Sequence, residues 1–270
     1  MYRGRLAPTP TGLLHLGHAR TFWTAQQRAR GQGGILLYRN EDLDPTRCKP
    51  EFREAAIEDL HWLGLEWKGD PVDQSARLPH YRRAFEELRK KDHLFPCTCS
   101  RKDIRNAASA PHTEDGEAIY PGTCRTKDSP AQPHEPSTPA NWRFQVPEGE
   151  VVQFEDGRCG PQRFVAGDDF GDFPVWQKDN MPAYQLAVVV DDAAMNITEV
   201  VRGKDLLLST ARQLLLYHAL GLNPPNFYHC PLMTNEKGRR LAKRHDALSL
   251  RALREAGHKP EELQGKWVSD

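Results

Sequence analysis

An α/β fold with a parallel sheet is predicted by three features of the opening stretch. A short run that breaks at Pro8 and Pro10 reads as a strand, and after a turn at Gly12 the residues from about Leu13 to Arg30 read as a helix. Gly31, Gly33 and Gly34 make the next turn, and Ile35 to Arg39 is a short, mostly apolar run of the buried-strand kind. Strand, helix and strand in that order form a crossover unit, which requires parallel strands.

The first helix is where chemistry is expected. A helix that starts directly after a strand directs backbone N–H groups and a positive dipole end past the sheet edge, which suits phosphate. His15 and His18 are three residues apart, so both imidazoles project from one face of the first turn. Gly17 between them leaves room for a flat ring against the backbone. An isolated pair of this kind is ordinarily two surface histidines, and the rest of the chain must decide. Ligands of such sheets bind beyond the carboxyl ends of the strands, where Glu41, Asp42 and Asp44 follow the second strand.

Further along, Glu51 to Leu63 is amphipathic and Gly64 stands where a helix would end. His80 to Lys91 repeats the pattern with Tyr81, Phe85 and Leu88 on one face. Both helices should cover the sheet. Cys97 and Cys99 then appear one residue apart, followed by Cys124. Such close thiols do not readily bridge to each other but can bind one metal. By residue type, His93, His112 and Tyr120 are candidates for a fourth ligand. Ser129 to Pro139 is too rich in proline for helix or central strand and reads as an extended linker. Trp142 to Val146 and Val151 to Glu155 read as strands. Tyr184 to Asp192 reads as an apolar strand ending in paired acids, Ile197 to Arg202 as the next strand, and about Ser209 to Leu220 as a helix. A basic loop at Gly238 to His245 precedes a helix near Leu248 to Ala256. This organisation divides into residues 1–92, the first half of the parallel-sheet domain; 93–165, an inserted subdomain; and 166–270, the second half with the basic loop and a short helical tail.

Composition excludes more than it assigns. Lys plus Arg equals Asp plus Glu at 37 each, so any nucleic-acid surface must be local rather than announced by net charge. Polar and proline residues interrupt the first twenty positions, leaving no signal peptide or spanning segment, which implies a soluble, cytoplasmic protein without a membrane partner. Six cysteines, two of them as Cys-Thr-Cys, suit metal binding in a reducing compartment better than a disulfide scaffold.

The motifs together resemble one family. His15-Leu-Gly-His18, preceded by Arg5-Leu-Ala-Pro-Thr-Pro-Thr-Gly12, resembles the "HIGH" signature of class I aminoacyl-tRNA synthetases of the glutamyl and glutaminyl branch. The resemblance implies a Rossmann-type catalytic domain with an inserted zinc-containing subdomain, and ATP held at His15, Gly17 and His18. It implies a glutamate site made of Arg5, Ala7, Thr9, Glu41, Tyr184 and Arg202. Glu41, within Arg39-Asn-Glu-Asp-Leu-Asp44, would receive the amino group, a charge-assisted hydrogen bond worth about 1.5 to 3 kcal/mol. Arg5 would take the side-chain carboxylate and Arg202 the α-carboxylate, each by an arginine fork. Arg240-Leu-Ala-Lys-Arg244 resembles the "KMSKS" loop, with Lys243 retained to meet charge on the pyrophosphate and with Ala242 and Arg244 in place of two serines. Short members of the branch place zinc on Cys-x-Cys and Tyr-x-x-x-Cys, which maps onto Cys97, Cys99, Tyr120 and Cys124. The loop between the pairs is longer here and carries His112.

Length narrows the resemblance. Too little chain follows Arg244 for an independent domain, which typically needs at least about 50 residues, so the expectation is that a separate anticodon-binding domain is missing. Within the family this resembles the short enzymes that activate L-glutamate with Mg2+ and ATP and attach it to queuosine in the anticodon loop of tRNA(Asp). Two alternatives accompany that reading: a truncated synthetase charging the 3' end of tRNA(Glu), and a non-catalytic tRNA-binding relative.

Overall fold

A computed structural model describes residues 1–100, 102–104, 119–125, 139–233 and 249–267. They form two compact units: Met1–Ala76 with Asn196–Lys204 and Pro225–Asp270, and Arg77–Met195 with Asp205–Pro224.

The first unit is the parallel-sheet unit. Strand β1 (Arg3–Leu6), helix α1 (Leu16–Gly31) and strand β2 (Ile35–Asn40) make the expected crossover, with Arg3 opposite Ile35 and Leu6 opposite Tyr38 in parallel register. The tight turn between them needs Gly34, where a Cβ would meet the Tyr2 carbonyl oxygen at 2.6 Å. Helix α2 (Pro50–Trp62) leads through a turn at Gly64, whose φ of +74° suits glycine, towards β3 (Val72–Asp73), which pairs parallel with β2. On the other side of β1 lies β9 (Glu199–Gly203), joined where the Thr198 N–H donates to the Arg3 carbonyl, and β10 (Asn226–Cys230) continues the parallel order from β9. The chain ends in two short helices, at Leu250–Glu255 and Pro260–Gly265.

Leu6, Ala19, Leu60, Leu63 and Leu65 are fully buried in the core of this unit, and each large side chain there contributes about 1.5 to 3 kcal/mol by leaving water. A half-buried ion pair ties α1 to β9. Arg28 donates from Nε and Nη2 to the two oxygens of Glu199, both at 2.6 Å, while the Tyr2 hydroxyl donates to the same carboxylate at 2.8 Å. Satisfying the acid three times offsets the cost of burying it.

One boundary of α1 differs from the expected helix starting near Leu13. Leu13 and Leu14 are not helical and the helix begins at Leu16, because tertiary hydrogen bonding competes there: the Leu250 N–H donates to the Leu14 carbonyl, and His15 forms an isolated β-bridge with Ser249.

The second unit begins with α3 (Leu78–Lys90), which buries Tyr81, Phe85 and Leu88 as the spacing requires. An antiparallel sheet follows with β5 (Asn141–Phe144) between β4 (Leu94–Cys97) and β8 (Phe173–Trp176), and β6 (Val151–Asp156) forms a hairpin with β7 (Gly160–Val165). The segment read as an apolar strand from Tyr184 to Asp192 is instead a helix, α4 (Tyr184–Ala194). Three consecutive valines favour a strand, but a short apolar run has no periodicity that separates a strand from a helix buried on several sides. Here α4 packs against α3, β8 and the next helix, α5 (Leu207–Ala219), so an apolar surface is satisfied nearly all round. Its buried Asp191 is matched within the unit, by Arg77 Nε at 2.6 Å and the Tyr81 hydroxyl at 2.7 Å. No helix among the described residues is long and apolar enough to cross a membrane.

Candidate active site

In the first unit β1 pairs parallel with β2 and β9 with β10, and ligands of parallel sheets bind beyond the carboxyl ends of the strands. The N-terminus of α1 faces the same edge. His15 is its N-cap: His15 Nδ1 accepts from the Gly17 N–H at 3.1 Å, and His18 Nδ1 accepts from the His15 N–H at 3.5 Å. The two rings stack at 3.8 Å. An Nδ1 that accepts leaves the proton of a neutral imidazole on Nε2. Gly17 leaves room for the His15 ring: a Cβ would stand 3.0 Å from His15 Cε1 and 3.1 Å from Nδ1, so the ring would have to shift. The His15 ring lies against this position.

Arg5, on β1, and Arg202, on the adjacent β9, are 5% and 4% exposed. Arg5 Nη1 donates to the carbonyl of Val201, the residue beside Arg202, at 3.0 Å. Arg202 Nε donates to His229 Nε2 at 3.1 Å, and its guanidinium lies over the Phe227 ring, 5.5 Å from the centroid. Parallel pairing of β9 with β10 places His229 opposite Arg202. Glu41, just past β2, is held by fully buried Arg39, whose Nη2 donates to Oε1 at 3.0 Å. Ala7 and Thr9 follow β1, partly buried and exposed respectively.

The other two loop acids have structural partners. Asp42 accepts from the Ser75 N–H and hydroxyl at 2.8 and 2.7 Å, giving the Gln74–Arg77 turn its role. Asp44 accepts from Thr46 and Arg47, whose hydrogen bonds pull its carboxyl down to about 2. Tyr184 opens α4 in the second unit and is 38% exposed. Arg240 to Arg244, including Lys243, lie outside the described residues. Sequence reasoning assigned no role to Arg39, His229 or Ser249. Only the strand register points to His229, and only the bridge to His15 points to Ser249.

The cysteine cluster stands in the second unit, near the end of β4. The Cys97, Cys99 and Cys124 sulfurs all lie within 4.8 Å of one another, with Cys99 and Cys124 at 3.5 Å. Tyr120 Oη accepts from the Cys124 N–H at 2.7 Å and from the Cys97 thiol at 3.5 Å, and Arg143 lies over the Tyr120 ring at 4.2 Å. Burial and the Cys124 thiol push Cys99 up to about 11. For Cys124 burial acts in the same direction, but hydrogen bonds from Tyr120 and the Thr98 backbone outweigh it and bring the thiol down to about 7. Three soft sulfurs converging on one point could hold a metal ion, and their spacing fits tetrahedral thiolate coordination. The phenol beside them is a possible fourth donor; His112 and the proline-rich residues from Ser129 to Thr138 lie outside the described residues.

A family model described as tRNA synthetases class I (E and Q), catalytic domain, matches residues 1–265. A glutamyl-Q tRNA(Asp) synthetase of Nitratidesulfovibrio vulgaris is 47% identical over 268 residues, covering 95% of this chain and 82% of the relative. The protein of the same name from Symbiobacterium thermophilum is 48% identical, covering 98% and 85%. Among solved structures, a glutamate tRNA ligase from Elizabethkingia meningosepticum in complex with its amino acid superposes with a TM-score of 0.76 at 28% identity, over 91% of this chain. The chain spans about half the length of that ligase, 52%.

Proposed function

The chain belongs to the family of class I tRNA synthetase (E and Q) catalytic domains, and from that premise we propose that it joins glutamate to queuosine in tRNA(Asp) at the expense of ATP. The observation that carries the acceptor is the 47 to 48% identity, over about four fifths of their length, to relatives named glutamyl-Q tRNA(Asp) synthetase.

In this reading Arg5 and Arg202 clamp the two carboxylates of glutamate and Glu41 receives its ammonium group. Ala7 and Thr9 line the bound amino acid. A carboxylate oxygen of glutamate attacks the α-phosphorus of ATP, forming the acyl-phosphate bond as the bond to pyrophosphate breaks. The Nε2–H groups of His15 and His18 and the positive end of the α1 dipole meet negative charge on the phosphates. Gly17 lets the His15 ring keep its place, and Lys243 is assigned to the departing pyrophosphate. No protein nucleophile is required, because positioning and fixed donors supply the acceleration. In the second step a hydroxyl of the modified base attacks the acyl carbon and AMP leaves.

Mg2+ accompanies ATP as its counter-ion. Cys97, Cys99, Cys124 and Tyr120 would hold one zinc ion, which with four protein ligands fixes the knuckle structurally and leaves no position open for water. Tyr120 would have to yield its proton, against the burial and the hydrogen bonds with Cys124 and Cys97 that raise its pKa.

The first step is tested by exchange of labelled pyrophosphate into ATP with each amino acid in turn. Exchange with glutamate, and not with glutamine or aspartate, is expected. Exchange with none, in protein that is folded and metal-loaded, would favour the non-catalytic tRNA-binding reading.

A further inference from the structure

Asp59 lies on the buried side of α2 in the first unit and is 0% exposed. Neither of its carboxylate oxygens has a hydrogen-bond partner among the described residues. Beside it, at 3.7 Å from Oδ1, is Nη1 of Arg254 on α6 (Leu250–Glu255). Arg251 stands one turn earlier on the same face of α6, and its Nε is likewise buried without a partner. Both arginines reach Glu58 Oε2, at 3.3 and 3.4 Å, so two acids of α2 meet two cations of α6. The charged groups facing Asp59 are therefore Arg251, Arg254 and Glu255 from α6 and Glu58 from its own helix.

An ionised carboxylate buried without hydrogen bonds works against folding, and a residue of similar size without charge would serve the core better. Such arrangements concentrate where function requires them. The function is indicated by what α6 carries. Its N-cap, Ser249, forms the backbone bridge with His15, and the following N–H donates to the Leu14 carbonyl at 2.8 Å. The docking of α6 on α2 thus bears directly on the histidine that caps α1.

We infer that Asp59 is a positioning residue for the nucleotide site: through Arg254 and Arg251 its carboxylate sets how α6 docks on α2, and thereby where Ser249 holds His15. This rests on the role assigned above to His15 in binding ATP. Burial, which outweighs Arg254 and Arg251, pushes the Asp59 carboxyl up to about 6, so the device weakens as the pH falls through that value.

The test compares wild type with Asp59→Asn and Arg254→Met by calorimetric ATP binding from pH 5.5 to 8, with thermal unfolding and glutamate-dependent exchange measured alongside. Asp59→Asn should unfold at the same or a higher temperature at pH 8, yet bind ATP about 3- to 10-fold more weakly. The ratio of the two affinities should shrink towards one below about pH 6, where wild-type Asp59 is itself neutral. Arg254→Met should weaken ATP similarly, and the double variant little further. Unchanged affinity in a folded Asp59→Asn protein, a ratio that does not vary with pH, or a loss that merely follows a lowered unfolding temperature each overturns the inference. ATP binding by wild type without exchange would remove the proposed activity and leave Asp59 to be judged by binding; no binding at all would remove both.

Discussion

His15 pairs through its backbone with Ser249 in an isolated antiparallel bridge, so the residue that opens α1 also meets the residue that opens α6. Ser249 in turn caps α6, its Oγ accepting from the Ala252 N–H at 3.2 Å. Two helix starts are thereby joined at the edge where phosphate is expected.

His15 serves two purposes, capping α1 and presenting Nε2–H, and substitution can separate them. Asparagine is a good N-cap, whereas alanine loses about 1 kcal/mol of stability. His15→Asn should therefore unfold close to wild type and His15→Ala at a lower temperature, while both lose about 10²- to 10³-fold in adenylate formation. Equal exchange rates in wild type and His15→Asn would show that the ring is only a cap.

Gly17→Ala offers a sharper split between stability and activity. Alanine favours a helix by about 0.5 to 1 kcal/mol over glycine, but its Cβ would press on the His15 ring. The variant should be at least as stable as wild type in urea and slower in adenylation by about 10²-fold, as expected for a displaced donor. Wild-type kinetics in that variant would separate the ring's position from catalysis.

His229 orients Arg202 by accepting from its Nε inside the sheet. His229→Leu removes the acceptor and should raise the glutamate KM about tenfold or more, with a smaller effect on the ATP KM. His229→Gln, which keeps an acceptor, should recover part of the loss. An equal rise in both KM values would indicate general damage to the sheet.

Much of the first unit was legible in the sequence because its signals are local. Glycine turns bounded the β1–α1–β2 crossover, and the spacing of apolar residues marked α2, as it did α3 in the second unit. What escaped depends on distant neighbours. The helical state of Tyr184–Ala194 follows from packing against α3, β8 and α5, which no window of that length reveals. The delayed start of α1 follows from Leu250 and Ser249, far along the chain. Arg39 and His229, which hold Glu41 and Arg202, are ordinary strand residues until register and burial assign them partners.

The cysteine cluster should contain one zinc per chain when the protein is purified without chelators. Removing it, or changing Cys97 and Cys99 to serine, should lower the unfolding temperature and loosen the knuckle while glutamate-dependent exchange persists, because the cluster and the β1–β2–β9 edge belong to different units. Elemental analysis checks the stoichiometry, and a metal-free native protein would remove zinc from the account.

The most direct test of the whole account is where glutamate lands. Labelled glutamate and ATP would be supplied with tRNA(Asp) with and without queuosine, and with tRNA(Glu), and nuclease digestion would locate the label. Label on the queuosine nucleoside of tRNA(Asp), and on no other acceptor, is the expected result. Label on the terminal adenosine of tRNA(Glu) would contradict it and make this chain a synthetase of the conventional kind.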